Sequence, residues 1–159
     1  MFSKFPRRIY TVKELLAARK SLEEGYKHQL KVVGSPVFKR KAEEILSFIK
    51  AADYYDFVRT YIRKISEVSG LSQLREAEAT VWLNDVVLEN PFEGARFVVQ
   101  KAEQIKDYIG GKEYYRRREL SAVRKSIVFL EKLVKSIEDE TLRVKCEETL
   151  RQWREARIV

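Results

Sequence analysis

Residues 112–138 read KEYYRRRELSAVRKSIVFLEKLVKSIE, and this stretch sets the expectation for the whole fold. Leu120, Val123, Ile127, Leu130, Val134 and Ile137 recur at steps of three and four. That is the a/d spacing of a helix whose narrow apolar seam packs on other helices. The same stretch carries the densest basic run of the chain: Arg116, Arg117 and Arg118, then Arg124, Lys125, Lys132 and Lys135. One face is therefore expected to build the core while the rest presents positive charge.

Beyond Ile137 the seam loses phase. Leu142, Cys146, Leu150 and Trp153 follow a new register, which predicts a turn from Glu138 to Thr141 and a last helix to about Ala156. On the other side, Gly110-Gly111 closes a helix that holds Phe97, Val98, Ala102, Ile105 and Ile109 and that Asn90-Pro91 starts. Ser72 reads as the cap of a helix through Leu74, Ala77, Val81, Trp82, Val86 and Leu88, the only acidic segment of the chain. Ser35-Pro36 opens a helix whose apolar positions run from Ala42 to Ile65 and which would be roughly 50 Å long if unbroken. A kink near Ala51-Ala52, with Asp53 starting a second helix, is the alternative. A first helix begins with a capping box, Thr11 with Glu14, stapled by Tyr10 and Leu15, and stops at Gly34. Residues 1–9 hold Lys4, Arg7 and Arg8 and no acid. They read as a basic N-terminal arm before a single helical domain over residues 10–159, a frayed terminus being the plainer reading.

Proline and glycine are scarce and neither strand-like alternation nor hairpin dipeptides recur, so the expected fold is all-α. It would be a compact bundle of about five to seven mostly antiparallel helices. With 45% hydrophobic residues the chain can bury a real core. The charged-residue content, with one Cys, one His and one Met, resembles that of proteins from hot environments. A single cysteine cannot form an internal disulfide, MFSKFPRRIY lacks the apolar run of a signal peptide, and no window approaches about 18 uninterrupted apolar residues. A cytoplasmic location without a membrane span is expected.

The net charge of +8 permits a nucleic-acid partner or an acidic protein surface. Two basic clusters are candidates for nucleic-acid or anion binding. In the first, Arg116, Arg117 and Arg118 begin the helix of the organising stretch, where cations oppose the helix dipole, and Arg124 and Lys125 follow. The second is Lys39, Arg40 and Lys41, which Glu43 and Glu44 balance at the next turn. In both, ordinary solvated charge competes with a binding role. The block from Asp53 to Lys64 interleaves aromatic residues with cations, a pattern that can stack bases but equally lines a core. Tyr114-Tyr115, beside the arginine triplet, reads the same way.

No enzyme is expected. His28 is the only histidine, so neither a metal site nor a His-based triad is anticipated. Gly110-Gly111-Lys112 lacks the spacing of a phosphate-binding loop, and no cofactor motif is present. Cys146, Trp82 and Trp153 read as core residues, the tryptophans alternatively as partner anchors.

Lys13-Glu14-Leu15-Leu16 on an early helix, with Arg59-Thr60-Tyr61-Ile62-Arg63-Lys64-Ile65 closing a long one, is similar to the helical domain of GINS replication-factor subunits over roughly the first 65 residues. The β-rich small domain that many such subunits carry has no expected counterpart, and the resemblance assigns no family. The expected function is a non-enzymatic basic interaction module that binds nucleic acid or a nucleoprotein complex through a Lys/Arg face. The alternative is a protein–protein scaffold or oligomer subunit of a larger assembly, of the replication or repair kind, without nucleic-acid contact.

Overall fold

A computed structural model describes residues 13, 16, 20, 29–75, 78–109 and 115–156, the side chains of 115–118 excepted. The basic arm, the first capping box, His28, Tyr114 and the Gly110-Gly111-Lys112 segment lie outside the described residues. The described chain runs β1 (Lys31–Val33), α1 (Pro36–Ala51), α2 (Tyr55–Tyr61), β2 (Lys64–Glu67), β3 (Gln73–Arg75), β4 (Thr80–Leu83), α3 (Asp85–Leu88), α4 (Pro91–Ile109), α5 (Tyr115–Ser136) and α6 (Glu140–Glu155).

Four strands form one mixed sheet in the order β1-β2-β4-β3, with β1, β2 and β4 parallel and β3 antiparallel at the edge. The fold is therefore mixed α/β, and the expected all-α bundle is wrong. The strands are three or four residues long, too short for alternation to register in the sequence. Leu74 and Val81, seven apart in sequence, mimic two helical turns. They are in fact cross-strand partners in the β3–β4 hairpin. Val32, Ile65, Val81 and Leu74 share one register row across the sheet. In that row Ile65, Leu74 and Val81 are buried and Val32 is half-buried.

The expected helix over 36–69 is two helices and a strand. Ser35 Oγ accepts the Phe38 N–H at 3.1 Å, Pro36 takes the first turn, and Phe38, Ala42, Ile45, Leu46 and Ile49 form the buried face of α1. The helix breaks at Asp53, whose φ of 64° is left-handed. Its side chain does not cap α2, whose N-cap position is Tyr54. Helix α2 ends at Ile62, and Lys64 and Ile65 are strand, so the string from Arg59 to Ile65 does not close a helix. Likewise Lys31–Val33, read as the end of the first helix, is β1.

Other boundaries fall as expected because their caps are local. Asn90 Oδ1 accepts from Phe92 N and Glu93 N to start α4, and Asp139 Oδ1 accepts from Leu142 N to start α6. Helices α1, α2 and α4 pack together, α4 against β4 and α1 against β1, while α5 lies along α4 and α6 along α5. The buried face of α5 is displaced from the expected seam. It holds Ala122, Val123, Ser126, Phe129, Leu130 and Leu133, while Leu120, Ile127, Val134 and Ile137 are only half-buried.

Candidate functional site

Lys39, Arg40, Lys41 and Arg124 are exposed, and none of them forms an ion pair with a described residue. Arg116, Arg117 and Arg118 lie in the first turn of α5, their side chains outside the description. No described contact joins the two clusters. Ile45 of α1 packs at Gly94 near the start of α4, and Lys39–Lys41 lie further toward the start of α1. Arg96 meets Ser126 and Glu103 meets Lys125, so α5 runs antiparallel to α4 and begins beside its far end. A carboxylate already sits at the start of α1, where Glu67 Oε1 accepts the Ser35 N–H at 2.8 Å.

Cations and aromatic rings converge elsewhere, around α2. Tyr54, Phe57 and Tyr61 recur at steps of three and four along one side of this helix. Tyr54 meets Phe57 edge-on at 6.1 Å between centroids, and Phe57 meets Tyr61 at 5.4 Å. Phe129 of α5 packs on Tyr54 at 5.1 Å. Lys132 of α5 stands 5.6 Å from the Tyr54 ring and Lys106 of α4 stands 5.8 Å from the Phe57 ring. On the other flank Lys50 of α1 and Arg59 cover Tyr55 at 4.8 and 5.5 Å. The rings are half-buried while Lys50, Lys106 and Lys132 are exposed. The sequence offered the aromatic half of this arrangement in residues 53–64. The lysines come from three other helices and carry no local signal.

Two carboxylates lie beneath the rings. Glu103 and Asp107 are buried on α4, and Lys125 reaches Glu103 at 3.4 Å. Of the anticipated anion ligands, Lys125 is thus engaged within the fold. Burial first, and the Glu103 carboxylate second, hold the Tyr54 phenol above its ordinary value; at Tyr61 Asp107 adds to the same effect. Both phenols therefore remain neutral at physiological pH.

A stripe that a count of apolar residues misses runs along α4: Glu93, Arg96, Gln100, Glu103 and Asp107, again at steps of three and four. Its first half is a closed network. Arg96, 2% exposed, binds both Glu93 oxygens, Gln100 Oε1 and Ser126 Oγ, and its guanidinium stacks 3.6 Å from the Trp153 ring. Trp153 is therefore a wall of this network, and Trp82 is half-buried with Arg75 4.5 Å over its ring.

Cys146 is fully buried on α6, and burial first, then the Glu147 carboxylate, pushes its thiol up to about 12. The folded value lies above that of the unfolded thiol, near 9.0. Stability from this group is therefore complete below about pH 9 and is lost as pH rises toward 12, because the unfolded chain releases the proton first. Urea melts from pH 8 to 11 are expected to show that decline, with a shallower slope in Cys146→Ala. An unchanged slope in the variant would mean that the thiol has no part in it.

Among the described residues no group of three or more His, Cys, Asp or Glu is placed to hold a metal ion, and no helix is long and apolar enough to cross a membrane. Compared with protein-family models, curated proteins and solved structures, the chain matches none.

Proposed function

We propose that the protein is a non-enzymatic, cytoplasmic interaction module that binds nucleic acid through its phosphates. The observation that carries this reading is the convergence of Lys50, Lys106 and Lys132, from three helices, on the aromatic residues of α2. These lysines lean on rings and make no ion pair with a described carboxylate. An exposed cation–ring contact is worth only about 0.5–1 kcal/mol, so the ammonium groups can move to phosphate at small cost. Lys39, Arg40, Lys41 and Arg124 are further exposed cations elsewhere on the fold.

The test is a salt titration of binding to labelled single- and double-stranded oligonucleotides. Log affinity is expected to fall linearly with log salt concentration, and Lys106→Ala with Lys132→Ala to reduce the slope by about 1.4 on a single strand. Failure to bind at about 50 mM salt would overturn the reading. A protein–protein scaffold is the second reading, favoured by apolar side chains around the carboxyl edge of the parallel strands. Leu71 and Val86 are 79% and 73% exposed there, with Val33 and Val37 also in solvent.

A further inference from the structure

We infer that the aromatic row of α2 takes unpaired bases, making single-stranded nucleic acid the ligand. This rests on the nucleic-acid reading above and adds to it the strand state. The ring centroids of Tyr54 and Phe57 lie 6.1 Å apart and those of Phe57 and Tyr61 5.4 Å apart. Bases in a duplex follow one another at about 3.4 Å per strand and are stacked on each other. Bases spaced like these rings must already be unstacked from their neighbours, which a duplex does not offer and a single strand does. Aromatic side chains accept such bases without regard to sequence, because every base has a π face.

The cations fit the same ligand. Lys106 and Lys132 belong to different helices and stand near the first two rings of the row, 5.8 and 5.6 Å from their centroids. Each covers a ring face, so a base that stacks there displaces the ammonium onto the adjoining phosphate. The neutral phenols of Tyr54 and Tyr61 add no charge against the backbone, and Lys125 offsets the buried Glu103 beneath them.

The experiment compares three fluorescein-labelled ligands of equal backbone charge by anisotropy at one low salt concentration: an oligothymidylate strand, a strand of abasic residues, and a duplex. The wild-type protein is expected to bind the oligothymidylate about tenfold or more tightly than the abasic strand, with the duplex also weaker. Phe57→Leu and Tyr61→Leu, checked for native melting, are expected to lower oligothymidylate affinity to that of the abasic strand. Equal affinity of the wild type for oligothymidylate and abasic strands would overturn the stacking role while leaving phosphate binding in place. Absence of binding to all three would instead overturn the nucleic-acid reading itself.

Discussion

Arg96→Ala is expected to destabilise the protein by about 3 kcal/mol, the low end of the range for removing one member of a buried ion pair, because Glu93 keeps partial access to water. Arg96 joins α4, α5 and α6 with a single side chain. Its Nε and Nη2 donate to Glu93 at 3.0 and 2.9 Å, and its Nη1 donates to Gln100 at 2.6 Å and to Ser126 at 2.9 Å. Trp153, stacked on the guanidinium, donates its Nε1–H to the same Glu93 at 2.6 Å. Alanine would leave a cavity, a carboxylate that has lost its counter-charge and a buried amide without its donor. Arg96→Lys keeps the charge but not the planar fork, and should recover only part of the loss. Arg96→Met fills the space without charge and separates cavity from electrostatics. Urea denaturation followed by tryptophan fluorescence measures all three. A loss below about 1 kcal/mol in Arg96→Ala would show that water and neighbouring groups replace the clamp.

Gly94→Ala should be the next most damaging change, at about 1–3 kcal/mol from overpacking. A Cβ at this buried position of α4 would collide with the Ile45 Cδ1 methyl and lie 3.1 Å from its Cγ1. Ile45 has no exposed surface, so it cannot swing aside into solvent. The better helix propensity of alanine offsets about 1 kcal/mol, so the expected net loss is up to about 2 kcal/mol. Ile45→Val removes the colliding methyl, so the double variant should be less destabilised than the two single changes added together. Thermal melts of the four proteins test this. Simple additivity would mean that α1 and α4 can separate without cost.

Arg96 was invisible to a reading of apolar spacing because it belongs to a polar stripe. Glu93, Arg96, Gln100, Glu103 and Asp107 obey the helical period, but they are polar, and a hydrophobic count passes over them. Searching for polar residues at core spacing would have found the stripe. The displaced face of α5 follows from it: Ser126 turns inward to meet Arg96, and Phe129 turns inward to meet Tyr54. Helix starts at Ser35-Pro36 and Asn90-Pro91 were legible because each cap bonds its own next turn, whereas Asp139 was read only as part of the turn from Glu138 to Thr141. The sheet was not legible. Its parallel partners, such as Lys31 with Lys64 and Lys64 with Thr80, are far apart in the chain, and parallel pairing leaves no hairpin signature between them. Val58, Ile62 and Ile65 kept helical spacing across a helix end, so the periodicity ran on into a strand. Of the candidate site, the exposed cations Lys39–Lys41 and Arg124 were readable as charge. The lysines gathered at α2 were not, because only the tertiary fold brings Lys50, Lys106 and Lys132 to one helix.

Asp53 lies outside the aromatic row, yet its left-handed backbone sets the turn between α1 and α2 and so the heading of that row. Were α1 to continue straight, Tyr54, Phe57 and Tyr61 would leave along its axis instead of turning onto α4 and α5. The heading of the surface is set at a joint one residue long, where β-branched side chains fit poorly and glycine or asparagine fit well. Mutational vulnerability is thus divided: the rings tolerate changes that keep their shape, whereas the joint tolerates changes that keep its dihedral angle.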